Sequence, residues 1–136
     1  MVQIDITYEG ELHTDAVHAP SGTRLGTDAP KDNEGRGESF SPTDLVATAL
    51  GTCMATIMGI TARRRELALE GSKVRVVKHM ITEPERRIGK LEVVFELPKG
   101  IGGEDRKVLE RAALACPVHR SLHPDMEIPV TFDWCM

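Results

Sequence analysis

The sequence predicts an α+β fold in which antiparallel sheets accompany one long central helix. Runs with the alternating pattern of strands are segregated along the chain from runs with helical spacing, which favours antiparallel pairing. The length of 136 residues is typical of a single domain, so we expect one domain over residues 1–136. No charged residue occurs between residues 45 and 62, so the long helix is too apolar for one sheet to cover. A homodimer that buries this helix between two subunits is therefore expected.

Three strands are predicted before the long helix. Residues 2–8 alternate apolar and polar side chains, which predicts a half-buried strand. A turn at 9–11 leads to a second strand over 12–18, and a shorter third strand is expected at 23–28. Residues 29–41 are rich in proline, glycine and charge, so they are predicted to form a long, functional or mobile loop.

The long helix is predicted over residues 41–69. Ser41 is a favourable N-cap residue, Pro42 suits the first helical position, and Gly71 follows the expected end. Several threonines and glycines make the segment only weakly apolar, which favours a helix largely buried in a soluble protein over a membrane span. Its apolar residues form two adjacent stripes at a spacing of four: Leu45, Ala49, Cys53 and Ile57, and Val46, Leu50, Met54 and Met58.

The rest of the chain is predicted to form strands and helices in alternation. Proline disfavours the helical conformation in the residue before it, so the Cys116–Pro117 step should end one helix and allow another to begin. The predicted elements are strands at 73–82 and 90–97, a helix at 104–115, a short helix at 118–123 and a strand at 126–134.

Charge and composition exclude several classes of function. With 17 basic and 21 acidic residues the net charge is −4, and the one basic cluster, residues 63–65, is followed at once by Glu66. Aromatic residues make up only 4% of the chain. Neither a basic face nor stacking aromatics are available for nucleic acid, so we expect no nucleic-acid partner. The first residues lack the basic and apolar regions of a signal peptide, so we expect a cytoplasmic location and no membrane association.

Metal and cofactor sites are not expected. The three cysteines include no Cys-x-x-Cys pair, and the i, i+4 pair His119 and His123 lacks a third ligand. The glycines at 100–103 do not match a phosphate-binding loop.

The cysteines are the candidates for chemistry. Cys53 lies in the middle of an apolar stripe, which is typical of core packing, whereas Cys116 precedes a helix whose free amides would favour a thiolate. Cys135, next to the last residue, is expected to be exposed. Where two thiols lie close together, one can be oxidised by a peroxide to a sulfenic acid, and the second can condense with it to a disulfide.

A thiolate at Cys53 would need a cation from elsewhere in the chain. The helix dipole acts within the first turn only, and Cys53 lies beyond it. Arg36, between Gly35 and Gly37 on the long loop, and Arg24, near the third strand, are the two candidates, although an arginine in either place is more often a solvated surface residue.

Two segments carry a resemblance to a known family. They are residues 41–54, from Ser41 through Leu50-Gly51-Thr52-Cys53-Met54, and residues 115–122, with Ala115-Cys116-Pro117-Val118 followed by Ser121 and Leu122. With the loop at 32–37, they resemble the OsmC-like branch of the OsmC/Ohr family of thiol-dependent hydroperoxide reductases. The resemblance covers nearly the whole chain.

The resemblance implies an intertwined α+β homodimer with two active sites at its interface. It also implies the reduction of organic or inorganic hydroperoxides in oxidative stress defence, with Cys53 attacking the peroxide and Cys116 resolving the sulfenic acid as a Cys53–Cys116 disulfide. The electron donor left open is a dithiol protein, a lipoyl group or a low-molecular-weight thiol.

The chain departs from the family pattern at two places. Thr43 stands where the best-studied peroxidases have a glutamate, and the turn at 8–12 has no arginine. Arg36 is therefore the expected substitute for the activating arginine, with Glu38 as the partner of its guanidinium.

Two further hypotheses compete with the reductase. One is a non-catalytic module of the same fold that binds a small hydrophobic ligand in the dimer cleft, which the missing glutamate and arginine favour. The other is a thiol redox sensor without turnover, which the cysteine pair allows equally well.

Overall fold

The computed structural model describes all 136 residues and confirms the α+β fold. The chain forms two compact units, residues 1–46 and residues 47–136. The elements are β1 (Ile4–Gly10), β2 (His13–His18), β3 (Arg24–Asp28), α1 (Pro42–Arg64), β4 (Lys73–Ile81), β5 (Arg87–Glu96), α2 (Gly103–Leu114), α3 (Pro117–Ser121) and β6 (Val130–Asp133), with one turn of 3₁₀ helix at Lys31–Asn33.

The first unit is built on an antiparallel sheet in the order β1-β2-β3. Ile6 lies opposite Ala16, and Ala16 lies opposite Leu25, so these residues share one face of the sheet. Ile4, Ile6 and Tyr8 alternate along β1 as predicted, but both faces of β1 are exposed in the single chain, so the prediction of a half-buried strand is not met there.

The second unit contains a sheet in the order β4-β5-β6. β4 and β5 are antiparallel, whereas β5 and β6 are parallel, which the purely antiparallel expectation missed. The reason is the connection: α2 and α3 lie between these strands, and a crossover of this kind returns the chain in the same direction. Phe95 of β5 stacks on Phe132 of β6, with ring centroids 5.2 Å apart, and this contact adds to the backbone pairing of the two strands.

Alternation along β5 builds the core of the second unit. Leu91, Val93 and Phe95 are buried, together with residues of α1 and α2. The contributions from the helices are Leu50, Met54, Met58 and Ala62 of α1, and Leu109 and Ala113 of α2.

α1 begins as predicted but ends earlier. The Ser41 hydroxyl accepts a hydrogen bond from the Asp44 backbone N–H, and the Asp44 carboxylate accepts one from the Ser41 N–H, which together form a reciprocal cap. The helix ends at Arg64 because Glu66 adopts a left-handed conformation, with φ of 55°, and the Leu67 N–H donates to the Ala62 carbonyl. Glycine usually occupies this position, so the sequence did not signal the end.

The surface of α1 is only partly covered in the single chain. By length and composition alone, with a mean hydropathy of 1.7 over its apolar window, α1 could span a membrane, a property shared by core helices of soluble proteins. One third of that window is buried, which is less than the sequence led us to expect. Between residues 45 and 62 the exposed side chains lie on one stripe: Thr48, Thr52, Thr56 and Ile60.

The last strand is shorter than predicted. Residues 126–129 precede β6 and pair with β5 only through single contacts, such as the Leu91 N–H to the Glu127 carbonyl. Pro129 has no N–H to donate, although its carbonyl accepts from Val93. Regular pairing therefore starts at Val130.

Gly51 fixes the approach of α1 to β4. A Cβ at this position would lie 2.8 Å from Cγ2 of Val76, and a β-branched side chain cannot move aside freely. We predict that the effects of Gly51→Ala and Val76→Ala on the free energy of unfolding are not additive. The methyl group added at residue 51 is destabilising beside Val76 but is accommodated beside an alanine at residue 76. Urea unfolding should give a coupling free energy of about 0.5–3 kcal/mol. Additivity within about 0.5 kcal/mol would contradict the close contact.

Candidate functional site

Two of the predicted site residues meet in the second unit. Cys53 lies on α1 and is half-buried, while Cys116 lies before α3 and is fully buried. The two thiols lie close enough together that Cys53 raises the pKa of the Cys116 thiol. All three cysteines are free thiols, and Cys135 is exposed near the end of the chain. The fold thus places a partly accessible thiol beside an inaccessible one.

Cys116 is the N-cap of α3. Its backbone is extended, Pro117 follows as the first helical residue, and the His119 N–H donates to Cys116 Sγ over 3.3 Å. The sequence predicted this cap from the Cys-Pro step. A proline at the first helical position also costs no hydrogen bond, because that N–H would have no partner within the helix.

The sequence also predicted an acidic thiol at Cys116, and the structure corrects that expectation. Burial raises the pKa of the Cys116 thiol above its ordinary value, because the charged form loses its hydration. The His119 N–H acts in the opposite direction, and the neighbouring Cys53 raises the pKa further. The amides of α3 therefore moderate the effect of burial without reversing it.

The predicted cations lie in the first unit. Arg36 is exposed on the loop after β3, and its guanidinium forms no hydrogen bond or ion pair, so the expected pair with Glu38 is not formed. Arg24 is bound instead: its Nη2 lies 2.7 Å from Oδ2 of Asp15. Of the two candidates, Arg36 is the one whose charge is not already engaged.

The Arg36 loop is held closely to the strand before it. The Asp28 N–H donates to the Phe40 carbonyl, and the Gly37 N–H donates to the Ala29 carbonyl. Gly35 is required here, because a Cβ would lie 1.7 Å from the Ala29 carbonyl oxygen. The loop predicted as long and functional or mobile is therefore tied back at both ends.

A further cluster near this loop was missed by sequence reasoning. His13 Nδ1 lies 2.7 Å from Oδ1 of Asp28, and His13 Nε2 lies 3.4 Å from Oε1 of Glu9. The three side chains come from three strands, and only the register of the sheet brings them together. His13 lies directly opposite Asp28 in that register, which no local sequence signal reveals.

No three side chains of His, Cys, Asp or Glu converge as metal ligands. His123 Nδ1 accepts the Asp125 N–H, which places this histidine in a local turn. One open cavity of about 400 Å³ lies on the second sheet. Its lining is mixed in charge and comprises Lys73, Val74, Arg75, Val94 and Glu96.

The comparisons with known proteins agree with this architecture. The family model described as OsmC-like protein matches residues 35–131. A crystal structure from Psychrobacter arcticus, of a protein described as a candidate osmotic stress induced and detoxification response protein, is 41% identical with a TM-score of 0.91, covering 97% of this chain and 96% of that chain. No curated protein matches the sequence.

Two more distant structures share the fold. An organic hydroperoxide resistance protein OsmC from Legionella pneumophila is 14% identical, with a TM-score of 0.78 and coverage of 98% of this chain and 96% of that chain. An organic hydroperoxide resistance protein from Elizabethkingia anophelis is 16% identical, with a TM-score of 0.75 and coverage of 98% of this chain and 95% of that chain.

The backbone amide of residue 119 offers a test of the Cys116 environment. In a chain that also carries Cys53→Ser and Cys135→Ser, His119→Pro removes the N–H that donates to Cys116, whereas His119→Ala retains it. We predict a higher pKa of the Cys116 thiol in the proline variant than in the alanine variant, because the lost donor favoured the thiolate. Ultraviolet absorbance of the thiolate against pH measures the difference. Equal pKa values in the two variants would show that the amide does not act on the sulfur.

Proposed function

Because the chain belongs to the OsmC-like protein family, we propose that it is a cysteine-dependent reductase of organic or inorganic hydroperoxides, a single domain over residues 1–136. The observation that carries the proposal is the proximity of the Cys53 and Cys116 thiols, which is close enough for Cys53 to act on the Cys116 pKa, since two neighbouring thiols can form and resolve a sulfenic acid. The names of the related structures from Legionella pneumophila and Elizabethkingia anophelis, both organic hydroperoxide resistance proteins, support the substrate class.

The proposed cycle has two steps within the chain. The Cys53 thiolate attacks a peroxide oxygen, the O–O bond breaks, and the alcohol or water leaves while Cys53 becomes a sulfenic acid. Cys116 then attacks the Cys53 sulfur, water leaves, and a disulfide forms. An external thiol returns the disulfide to two thiols by exchange.

The difference in burial supports this order of roles. Cys53 is half-buried and can be reached by a small peroxide, whereas Cys116 is fully buried. A buried thiol with a raised pKa is a poor first nucleophile but is protected from peroxide until the neighbouring sulfenic acid forms. The difference in burial thus supports Cys53 as the residue of first attack, although the helix start alone favoured Cys116 as the more acidic thiol.

Arg36 is the proposed cation for the thiolate of Cys53. Its guanidinium is exposed and has no ion-pair partner, in contrast to Arg24, which is bound to Asp15. A positive charge near a thiol lowers its pKa and raises the thiolate fraction at neutral pH.

A homodimer is proposed as the working unit. Ile4, Ile6 and Tyr8 of β1 form an apolar row with Leu25 of β3, and all four side chains are exposed in the single chain. A contiguous apolar face of this kind is rarely left in water and usually marks an interaction surface. A second copy of the chain would cover this face. Free thiols without a Cys-x-x-Cys pair support a reducing compartment, the cytoplasm.

Anaerobic thiol counting tests the proposed chemistry. The reduced chain has three free thiols, and one equivalent of an organic hydroperoxide should leave one, Cys135. Cys53→Ser should lose no thiols, because the attacking residue is gone. Cys116→Ser should form a sulfenic acid on Cys53 that a dimedone probe labels. Cys135→Ser is the matched control and should consume peroxide like the parent.

The same experiment separates the alternatives. Loss of two thiols without turnover when dithiothreitol or dihydrolipoamide is added would favour a redox sensor. No peroxide-dependent loss of thiols in the parent chain would contradict the reductase and favour the ligand-binding module.

A charge introduced on the apolar face tests the dimer. Light scattering should give about twice the chain mass of 15.0 kDa for the parent. Ile6→Glu should shift the mass to that of a monomer, since a carboxylate would be buried in the interface. Thr7→Glu, one residue along and on the opposite face of β1, should remain dimeric. A monomeric parent at micromolar concentration would rule out the dimer.

A further inference from the structure

His13 bridges two carboxylates on the polar face of the first sheet. Its Nδ1 lies 2.7 Å from Asp28, which is only 6% exposed, and its Nε2 lies 3.4 Å from Glu9. Gly26 leaves room for the ring, because a Cβ there would lie 3.0 Å from His13 Cε1. A protonated imidazole donates from both nitrogens and so can satisfy both carboxylates at once.

Asp28 and its neighbours also anchor the loop that carries Arg36. The Asp28 N–H binds the Phe40 carbonyl, the carbonyl of the next residue, Ala29, binds the Gly37 N–H, and Ser39 Oγ donates to the Gly26 carbonyl. Asp28 therefore has two roles: its carboxylate binds His13, and its backbone is where the Arg36 loop leaves the sheet and returns to it.

Arg36 and His13 act on each other through their charges. Asp28 raises the pKa of His13 by its hydrogen bond, burial acts against this, and Asp28 and Glu9 raise it further through their charges. The Arg36 guanidinium lowers the same pKa, so Arg36 lies close enough for its charge to be felt. The remaining charged group facing His13 is Asp15 of the same strand, which is engaged by Arg24.

We propose that His13 is a positioning residue for Arg36, and that the proton on its Nε2 decides whether Arg36 is left free or drawn to Glu9. With the proton present, Glu9 and Asp28 are both engaged by a cation and Arg36 is repelled. When it is lost, Nδ1–H still donates to the buried Asp28, and the Glu9 carboxylate has no partner. Arg24, on which the Glu9 charge also acts, is bound to Asp15, so Arg36, whose charge acts at His13, is the cation that remains free to pair with Glu9.

This inference rests on the proposed function only for the role of Arg36 at Cys53. If Arg36 supports the thiolate, the reaction of Cys53 with hydroperoxide should fall as the pH rises through the pKa of His13. Thiolate formation has the opposite effect, because it raises the reaction rate as the pH rises. The two effects can therefore be separated in a profile of rate against pH.

Titration of His13 by NMR tests the coupling without any peroxide chemistry. In the parent chain the pKa of His13 should lie above the ordinary value for histidine. Arg36→Gln should raise it further, because a repelling charge is removed. Lys31→Gln, which removes a cation of the same loop that does not act on the pKa of His13, is the matched control and should leave that pKa close to the value in the parent chain. An unchanged His13 pKa in Arg36→Gln would overturn the proposal.

The second measurement is the rate of Cys53 oxidation against pH in Glu9→Gln and His13→Gln. Glu9 is exposed, so its substitution should leave the fold intact. In both variants the severalfold fall in the oxidation rate at high pH should disappear. Glu9→Gln has no carboxylate that could compete for Arg36, and His13→Gln has no imidazole proton to lose. A fall that persists in Glu9→Gln overturns the competition. If the parent chain does not react with hydroperoxide, the proposed function is wrong. The titration of His13 then still tests the charge coupling between His13 and Arg36.

Discussion

The close approach of α1 to β4 is the constraint on which the reactive part of this protein depends. The two elements can approach this closely because residue 51 is a glycine, with the methyl groups of Val76 occupying the space that its side chain would fill. Cys53 lies two residues further along the same helix, so the position of its sulfur follows from that contact. The helix carries few polar groups at this level, and its buried residues, Leu50, Met54 and Met58, leave little freedom for rotation.

The second constraint is the N-cap of α3, which fixes the other sulfur. Cys116 cannot turn away from the first turn of α3 without leaving the His119 N–H unsatisfied beside a buried group, which is costly. One thiol is thus positioned by apolar packing and the other by a hydrogen bond. The proximity of the pair needs no loop movement within the second unit, because both sulfurs belong to ordered elements of that unit.

Local patterns in the sequence were sufficient for much of this fold. Alternation located the strands, and the Ser41-Pro42 and Cys116-Pro117 steps located two helix starts, because caps and prolines act on their immediate neighbours. What failed depended on distant residues. The parallel pairing of β6 is set by the crossover, the end of α1 by a left-handed Glu66, and the link between His13 and Asp28 by strand register. The raised pKa of Cys116 required knowledge of its burial, which the sequence does not give for a cysteine before a proline.

The parallel pairing of β5 and β6 affects the order in which the contacts of the second unit form during folding. Residues 97–129 separate the two strands, so their pairing closes a long loop, and Cys116 lies inside that loop. Contacts between residues so far apart in sequence form slowly, because the loss of chain entropy precedes the gain from packing Phe132 on Phe95. The β4–β5 hairpin and the helices, which depend on local contacts, can form earlier. Because Cys53 precedes this loop and Cys116 lies within it, we expect the two thiols to come together with these later, long-range contacts and not with the early local ones.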